Sequence, residues 1–570
     1  MFILNHRWLN IAALCITLVG CGGGSNNNQD TELPDTAEAA DPSQIAIGER
    51  LFKETRFAQF FAVNSSGDVN ATLSQGDPAV ATSETVSDPL PGPAAGQTMN
   101  CAQCHLVDQQ LETPGGGMRT YADFARRSPL TARSDGQNFA VRNSPPLVNS
   151  ALPRDVGLLF HFDGEFTSME QLVEDTLTGR MQGWLPGEQT QAIAQIAKVI
   201  REDSGLGALA QEFGGSYKAV LTGTDAGLSE EFRLPPEFRV DVAKASDQEI
   251  LAAAVKLITA YVNNLVFGQD DQGAFSLSPY DRFLVANDLP RQPNEGESNA
   301  EYSRRLLLAI NAKTSFNFIQ SGSETAFQFH PGQSFKFGEQ ELNGLRLFLA
   351  RPQAAQISAN EIIQGGIGNC VACHPAPNFT DFRLHNNGAA QAEYDNIHGF
   401  GTFAALTIPD LAARSAEPGS SLPATSAHPS YAGHFRAIPT AADPRLTDLG
   451  AWNIFANPDF PDSQQTLHDL LCLVDNGEPA GCPSDTILLD RAVATFKTPG
   501  LRDLGHSAPY MHTGQFDALE QVVSFYQTVS AQARDGRLRN ADPRIGNIAV
   551  NGQEVTDIAV FLKALNEDYN

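Results

Sequence analysis

Apolar residues recur at helical spacing in several separate stretches of the chain. Between Asp247 and Phe267, residues Ile250, Ala253, Ala254, Leu257, Ile258 and Tyr261 share one face, which predicts an amphipathic helix. Ile45 to Phe57 carries Ile47, Leu51 and Phe52 in the same way, and Glu339 to Ala350 carries Leu342, Leu345 and Phe348. Ala518 to Thr528 and Val555 to Leu565 predict two closing helices. In the first of these, Leu519, Val522, Val523 and Tyr526 stand at i, i+3, i+4 and i+7, with Asp517 and Glu520 marking its start. Thr167 and Glu170 have the spacing of a capping box for a helix over 167–176, with Met169, Leu172 and Val173 apolar. Ser65 to Gln97, Pro114 to Gly117 and Ala412 to Pro444 are rich in Ser, Gly and Pro and predict surface loops.

At 570 residues the chain exceeds one ordinary core. Its 66 acidic residues against 38 basic ones leave a formal charge of −28. Such a surface repels nucleic acid and anionic lipid, so neither is expected as a partner. At the N-terminus, His6 and Arg7 precede the apolar run Trp8 to Val19, too short to span a bilayer. The run ends in Leu18-Val19-Gly20-Cys21, which resembles a bacterial lipobox. The resemblance implies a signal peptide over 1–20, cleavage before Cys21 and lipid on its sulfur. Residues 21–44, rich in Gly, Asn, Asp and Pro, then read as a flexible tether. The expected location is the periplasm or outer envelope, with membrane contact only through the lipid.

Of eight cysteines, Cys15 lies in that leader and Cys21 is the expected lipid-attachment residue. Cys472 and Cys482 flank a Gly- and Pro-containing loop and in an oxidising compartment predict a local disulfide, a free pair being the alternative. The other four form Cys101-Ala-Gln-Cys104-His105 and Cys370-Val-Ala-Cys373-His374. A c-type heme needs two thiols for thioether bonds and an imidazole beneath the iron, and this spacing supplies all three. Zinc sites draw their remaining ligands from a second cysteine pair, and a thioredoxin-like pair wants a βαβ setting, so both read less well. His105 and His374 are therefore the expected proximal ligands. The two halves share one plan: helix, loop, heme motif, long irregular segment, closing helices. The expected fold is mostly α, with two cytochrome c-like heme domains, long loops and insertions. They would span 45–291 and 292–570, divided at the polar stretch Gln292 to Ser298.

Further segments resemble the bacterial di-heme cytochrome c peroxidase and MauG family. They are Gly48-Glu-Arg-Leu-Phe52, Arg142-Asn-Ser-Pro-Pro146, Phe162-Asp-Gly164 with Met169-Glu170, and Ser278-Pro-Tyr-Asp-Arg-Phe283. In the second half they are Asn378-Phe-Thr-Asp381 with His385-Asn386, Phe496-Lys-Thr-Pro-Gly-Leu-Arg502, and Ser507-Ala-Pro-Tyr-Met-His-Thr-Gly514 with Leu519-Glu-Gln-Val-Val523. The resemblance implies oxidant chemistry at the N-terminal heme and electron transfer at the C-terminal one. Asp135 falls where the peroxidases place a histidine that caps the first iron, which implies an open first iron; His161 is the nearby alternative ligand. Tyr526 falls at the family's axial position on the second heme, as in the MauG branch, with Met511 the rival. Glu170 matches the distal glutamate that moves protons, although Phe160 replaces the glutamine that accompanies it. A calcium ion would take the Asn143 side chain and the carbonyls of Ser507 and Pro509. His512 would support the second heme, and of the tryptophans only Trp184 and Trp452 are available for the place between the hemes.

The expected function is that of a peroxidase or oxidase. Hydrogen peroxide would be reduced at the N-terminal heme, and an envelope electron donor or protein substrate oxidised through the C-terminal one. A phenolate ligand lowers the iron's potential, which tilts the reading toward oxidation of a substrate. The alternatives are a non-enzymatic electron-transfer lipoprotein with both irons six-coordinate, and a heme dioxygenase acting on an organic substrate.

Overall fold

The computed structural model describes residues 42–80, 82–84, 89–91, 98–105, 127–154, 157–320, 335–472, 482–504 and 507–567. The signal peptide, Cys21, nearly all of the expected tether and Pro114 to Gly117 lie outside them. The described chain is mostly helical, with two small two-stranded sheets. Among the described residues no helix is long and apolar enough to cross a membrane.

Two helix crossings organise the molecule. Ser43–Phe52 packs on Asp247–Asn264, and Glu339–Leu349 packs on Gly552–Lys563. Both depend on a glycine at the point of closest approach. A Cβ on Gly48 would lie 2.2 Å from the Leu257 carbonyl oxygen and 2.8 Å from Tyr261 Cβ. A Cβ on Gly344 would lie 2.0 Å from the Asp557 carbonyl oxygen and 2.7 Å from Phe561 Cβ. The backbones touch because glycine has no side chain to hold them apart.

The periodic helices form close to where the sequence puts them. Asp247–Asn264 opens with a full capping box, Ser246 with Glu249, and buries Ile250, Leu257, Ile258 and Tyr261. The helix after Thr167 starts one residue later than expected: Ser168 is its cap, accepting from the Gln171 N–H at 3.1 Å. Thr167 instead donates to the Gln171 side chain, so the expected Thr167–Glu170 box does not form. Leu519–Arg534 likewise opens through Gln521, whose side-chain oxygen accepts from the N–H groups of Asp517 and Ala518.

Among the described residues three large hydrophobic cores result, with a fourth, small cluster of Ala58, Val80 and Met99 beside Cys104. One surrounds Asp247–Asn264, and a second the Glu339–Leu349 crossing. The second takes in Tyr280, Phe283, Leu284 and Leu289, all ahead of residue 292. The third was not expected: residues between Ala390 and Phe496 pack around Trp452 and close over Leu159 and Phe162 from the first half. Ala412 to Pro444, read from composition as surface loop, belongs to this body. Arg414, 1% exposed, reaches in from the short helix Leu411–Ala416 to the carbonyls of Trp452 and Phe455. A disulfide joins Cys472 to Cys482 beside it.

One loop is built twice. Phe160 donates its N–H to the Phe166 carbonyl at 2.8 Å, and Tyr510 to that of Phe516 at 2.7 Å. His161 and Met511 both adopt left-handed φ, 58° and 71°, as do Gly164 and Gly514. Each loop then enters a helix, Met169–Thr178 or Leu519–Arg534. The two copies meet. Asn143 donates its N–H to the His512 carbonyl at 2.7 Å, and Lys497 donates its own to the Phe162 carbonyl at 2.6 Å. Their side chains repeat the exchange, Asn143 Nδ2 reaching the Pro509 carbonyl at 2.7 Å and Lys497 Nζ that of Leu159 at 3.1 Å.

Candidate heme sites

The first motif lies on the single-turn helix Cys101–Cys104, capped by Asn100, whose side chain accepts from the Gln103 N–H. Both thiols are free, and burial pushes each up to about 12. The hydroxyls of Ser128 and Ser144 face Cys104. His105 is held neutral by burial and then by the nearby His161 charge, its pKa lowered to about 4. Its buried Nδ1 faces the Pro145 carbonyl without closing a hydrogen bond to it.

The second motif starts in the 3-10 turn Cys370–Ala372. Cys370 and Cys373 are free, and burial pushes Cys370 up to about 12. His374 donates Nδ1–H to the Phe379 carbonyl at 2.8 Å, which leaves the Nε2 lone pair available to a metal. Burial lowers its pKa to about 4, with the Pro499 carbonyl also close. Pro145 and Pro499 are equivalent residues of the two copies. Paired free thiols, each followed by a neutral imidazole, are the donor set that a covalently attached heme requires, so the residues fit that group.

Tyr526 reaches the recess of the second motif. Its hydroxyl accepts from Asn387 Nδ2 at 3.0 Å. Solvent touches the ring, but enough protein surrounds the phenol to push it up to about 12, with Cys373 and Cys370 close enough to add to the rise. Met511 sits in the left-handed turn before that helix. His512 is buried and stacked on Phe496, ring centroids 3.7 Å apart.

Around the first motif the expected residues divide. Glu170 is exposed on the first turn of Met169–Thr178 and makes no hydrogen bond among the described residues. Asp135 is drawn away to Arg180, 2.7 Å from its Nε. Phe160 is buried in the first core. His161 Nδ1 lies 2.8 Å from Glu165 Oε2, and Arg436 grips both Glu165 oxygens at 2.9 and 2.5 Å. Neither Glu165 nor Arg436 stood out in the sequence. Glu165 offered only a carboxylate four residues after a histidine, and Arg436 lies 271 residues further on.

Asn143 and Pro509 meet, but the amide shows its nitrogen to the carbonyl while its oxygen accepts from the Ser144 N–H at 2.9 Å. As placed, these residues do not present the all-oxygen set calcium needs. Trp184 is buried and donates Nε1–H to the Phe57 carbonyl at 3.2 Å, and Trp452 lies under Arg414 in the third core.

No protein-family profile matches the chain. A stretch of 206 residues is 24% identical to cytochrome-c peroxidase IdrP2 of Denitromonas iodatirespirans, covering 35% of this chain and 37% of that protein. Another of 105 residues is 30% identical to methylamine utilization protein MauG of Methylophilus methylotrophus, covering 18% and 29%. This chain is similar to the di-heme cytochrome c peroxidase and MauG family. The matches span only about a third of each of those relatives. The solved diheme peroxidase BthA of Burkholderia thailandensis aligns over 92% of this chain and 86% of its own, at 17% identity; its TM-score of 0.43 is too low to bear on the fold.

Proposed function

We propose that this chain is a di-heme c-type peroxidase or oxidase, with an open first iron and a tyrosine-closed second one. One observation carries the reading. In the duplicated loop and helix, Tyr526 stands seven residues after Leu519, and its counterpart seven residues after Met169 is Thr176. The second copy thus offers a phenol where the first offers a short hydroxyl that does not ordinarily ligate heme iron. Bound at the open position, hydrogen peroxide would be reduced, and oxidising equivalents would pass to the second site.

Heme supplies the redox chemistry when bound, and the chain's residues set its terms. Cys101, Cys104, Cys370 and Cys373 would anchor the two groups, with His105 and His374 below the irons. The Nδ1–H bond to Phe379 fixes the His374 tautomer and ring orientation. Asn387 donates to the Tyr526 oxygen and so favours a phenolate there. The oxidised partner would be another envelope protein, reached from a body exported and lipid-anchored through Cys21.

The test is peroxide consumption by purified holoprotein with a one-electron dye donor. The reading expects turnover that His105→Ala abolishes. Absence of turnover in correctly loaded protein would count against it and favour the electron-transfer alternative.

A further inference from the structure

His161, Glu165 and Arg436 form a connected set that the resemblance does not assign. His161 is fixed in a left-handed turn, φ 58°, closed by the Phe160–Phe166 bridge. Phe166 meets its ring edge-on at 5.1 Å and packs against the same core as Cys101. Glu165 is oriented from three sides: its carboxylate accepts from Arg436 and meets His161 Nδ1, and its carbonyl accepts from Ser463 at 2.6 Å. Arg436 and Ser463 both come from the third body, so that insertion has a part in shaping this loop.

The chemistry follows from the bonding. Burial opposes ionisation of Glu165, but Arg436 and His161 overcome it and hold the carboxyl well below its usual range. Glu165 occupies the Nδ1 side of the ring, which leaves Nε2 as the nitrogen positioned to exchange a proton with a ligand. Nε2 has no hydrogen-bond partner among the described residues. Phe166, against which the His161 ring lies, packs on the core that also holds Cys101, and His161 is close enough to His105 to act on it electrostatically. The other charged groups facing the set are Asp163, 3.5 Å from Arg436 and 2.6 Å from Arg142, and Asp175. Solvent reaches Asp175, yet the protein around it, and then Glu165, raise its carboxyl to about 6.

We infer that His161 is the proton-handling residue of the first heme site, with Glu165 and Arg436 as its positioning residues. This rests on the reading of that site as the one that takes peroxide. His161 Nε2 accepts the proton of one peroxide oxygen and returns it to the other, which leaves as water. The histidine is unchanged over the cycle; heme, when bound, would supply the two electrons that split the O–O bond, and two solvent protons take the second oxygen to water. A base oriented by a carboxylate, itself locked by a guanidinium, serves this better than Glu170, which is exposed and unpaired.

The experiment uses full-length holoprotein and three readouts: the resting ferric spectrum, the rate of peroxide-induced spectral change, and the rate of cyanide binding to the open iron. Cyanide enters as its acid and must give up a proton, so it reports a distal base without any turnover. His161→Asn is chosen because asparagine tolerates the left-handed backbone. It is expected to slow the peroxide reaction about 100-fold or more, slow cyanide binding about 10-fold, and leave the resting spectrum unchanged. Glu165→Gln is expected to slow both by about 10-fold, with thermal unfolding as the check on its fold. Peroxide and cyanide rates within about three-fold of wild type in His161→Asn would overturn the inference but leave the peroxidase reading standing. Loss of a low-spin signal in His161→Asn would make His161 an iron ligand and overturn both. If wild type ignores peroxide, the peroxidase reading fails, and cyanide binding still decides the role of His161.

Discussion

Phe162 and His512 hold equivalent places in two copies of one loop, and their rings meet with centroids 6.3 Å apart. Each carbonyl accepts an N–H from the opposite half, Phe162 from Lys497 and His512 from Asn143. The junction is therefore a pseudo-two-fold contact within one chain, of the kind two identical subunits make. Beside it lies Arg142, 2.6 Å from Asp163 and 2.6 Å from Asp448, all three buried. Arg142→Met would leave two buried carboxylates short of a partner, at a cost of about 3–5 kcal/mol. Denaturant midpoints check this, and an unchanged midpoint would contradict the clamp.

The glycines at the two helix crossings should be intolerant of a methyl group. Gly344→Ala puts a carbon against the Asp557 carbonyl, and Gly48→Ala does so against Leu257. Each should lose at least about 1–3 kcal/mol through overpacking. Gly552→Ala meets nothing within 4 Å and should be nearly neutral. Equal melting temperatures for all three would refute the close-approach account.

Tyr526→Phe should change only the second heme's spectrum. Removing the hydroxyl takes away the oxygen that faces the thiols and leaves Asn387 without its acceptor. The first heme's signal should persist, and an effect on it instead would misplace Tyr526.

His385 should give the protein an alkaline limit. Its Nδ1 lies 2.6 Å from Asp542 and its Nε2 2.9 Å from Asp381, so both nitrogens are held by carboxylates. Burial works against the imidazolium, but Cys373 and the two aspartates outweigh it and raise the pKa well above 6.5. Thioether formation removes the thiol's share and leaves the two aspartates. A raised histidine stabilises the fold fully below about pH 6.5 and loses that contribution as pH rises through its folded value. Melting temperature should therefore fall on the alkaline side in wild type and more gently in His385→Gln. Parallel profiles would contradict this.

How much of this was legible in the sequence follows the range of the interactions. Asp247–Asn264 and Glu339–Leu349 could be read within a few residues because periodicity and capping are local signals. The Cys472–Cys482 disulfide was legible for the same reason, as was the pairing of free thiols at Cys101 with Cys104 and at Cys370 with Cys373. The cap at Ser168 was missed by one residue because Thr167 and Ser168 each have an acceptor-bearing side chain three residues on. The third core and the Arg436–Glu165 contact left no such trace. They join residues hundreds of positions apart, on backbone too irregular to show a period.

The account turns on the difference between Tyr526 and Thr176, and the resting spin state of the ferric holoprotein reads it most directly. Electron paramagnetic resonance should show one high-spin and one low-spin heme, with peroxide abolishing the high-spin signal. Two low-spin hemes that ignore peroxide would contradict it.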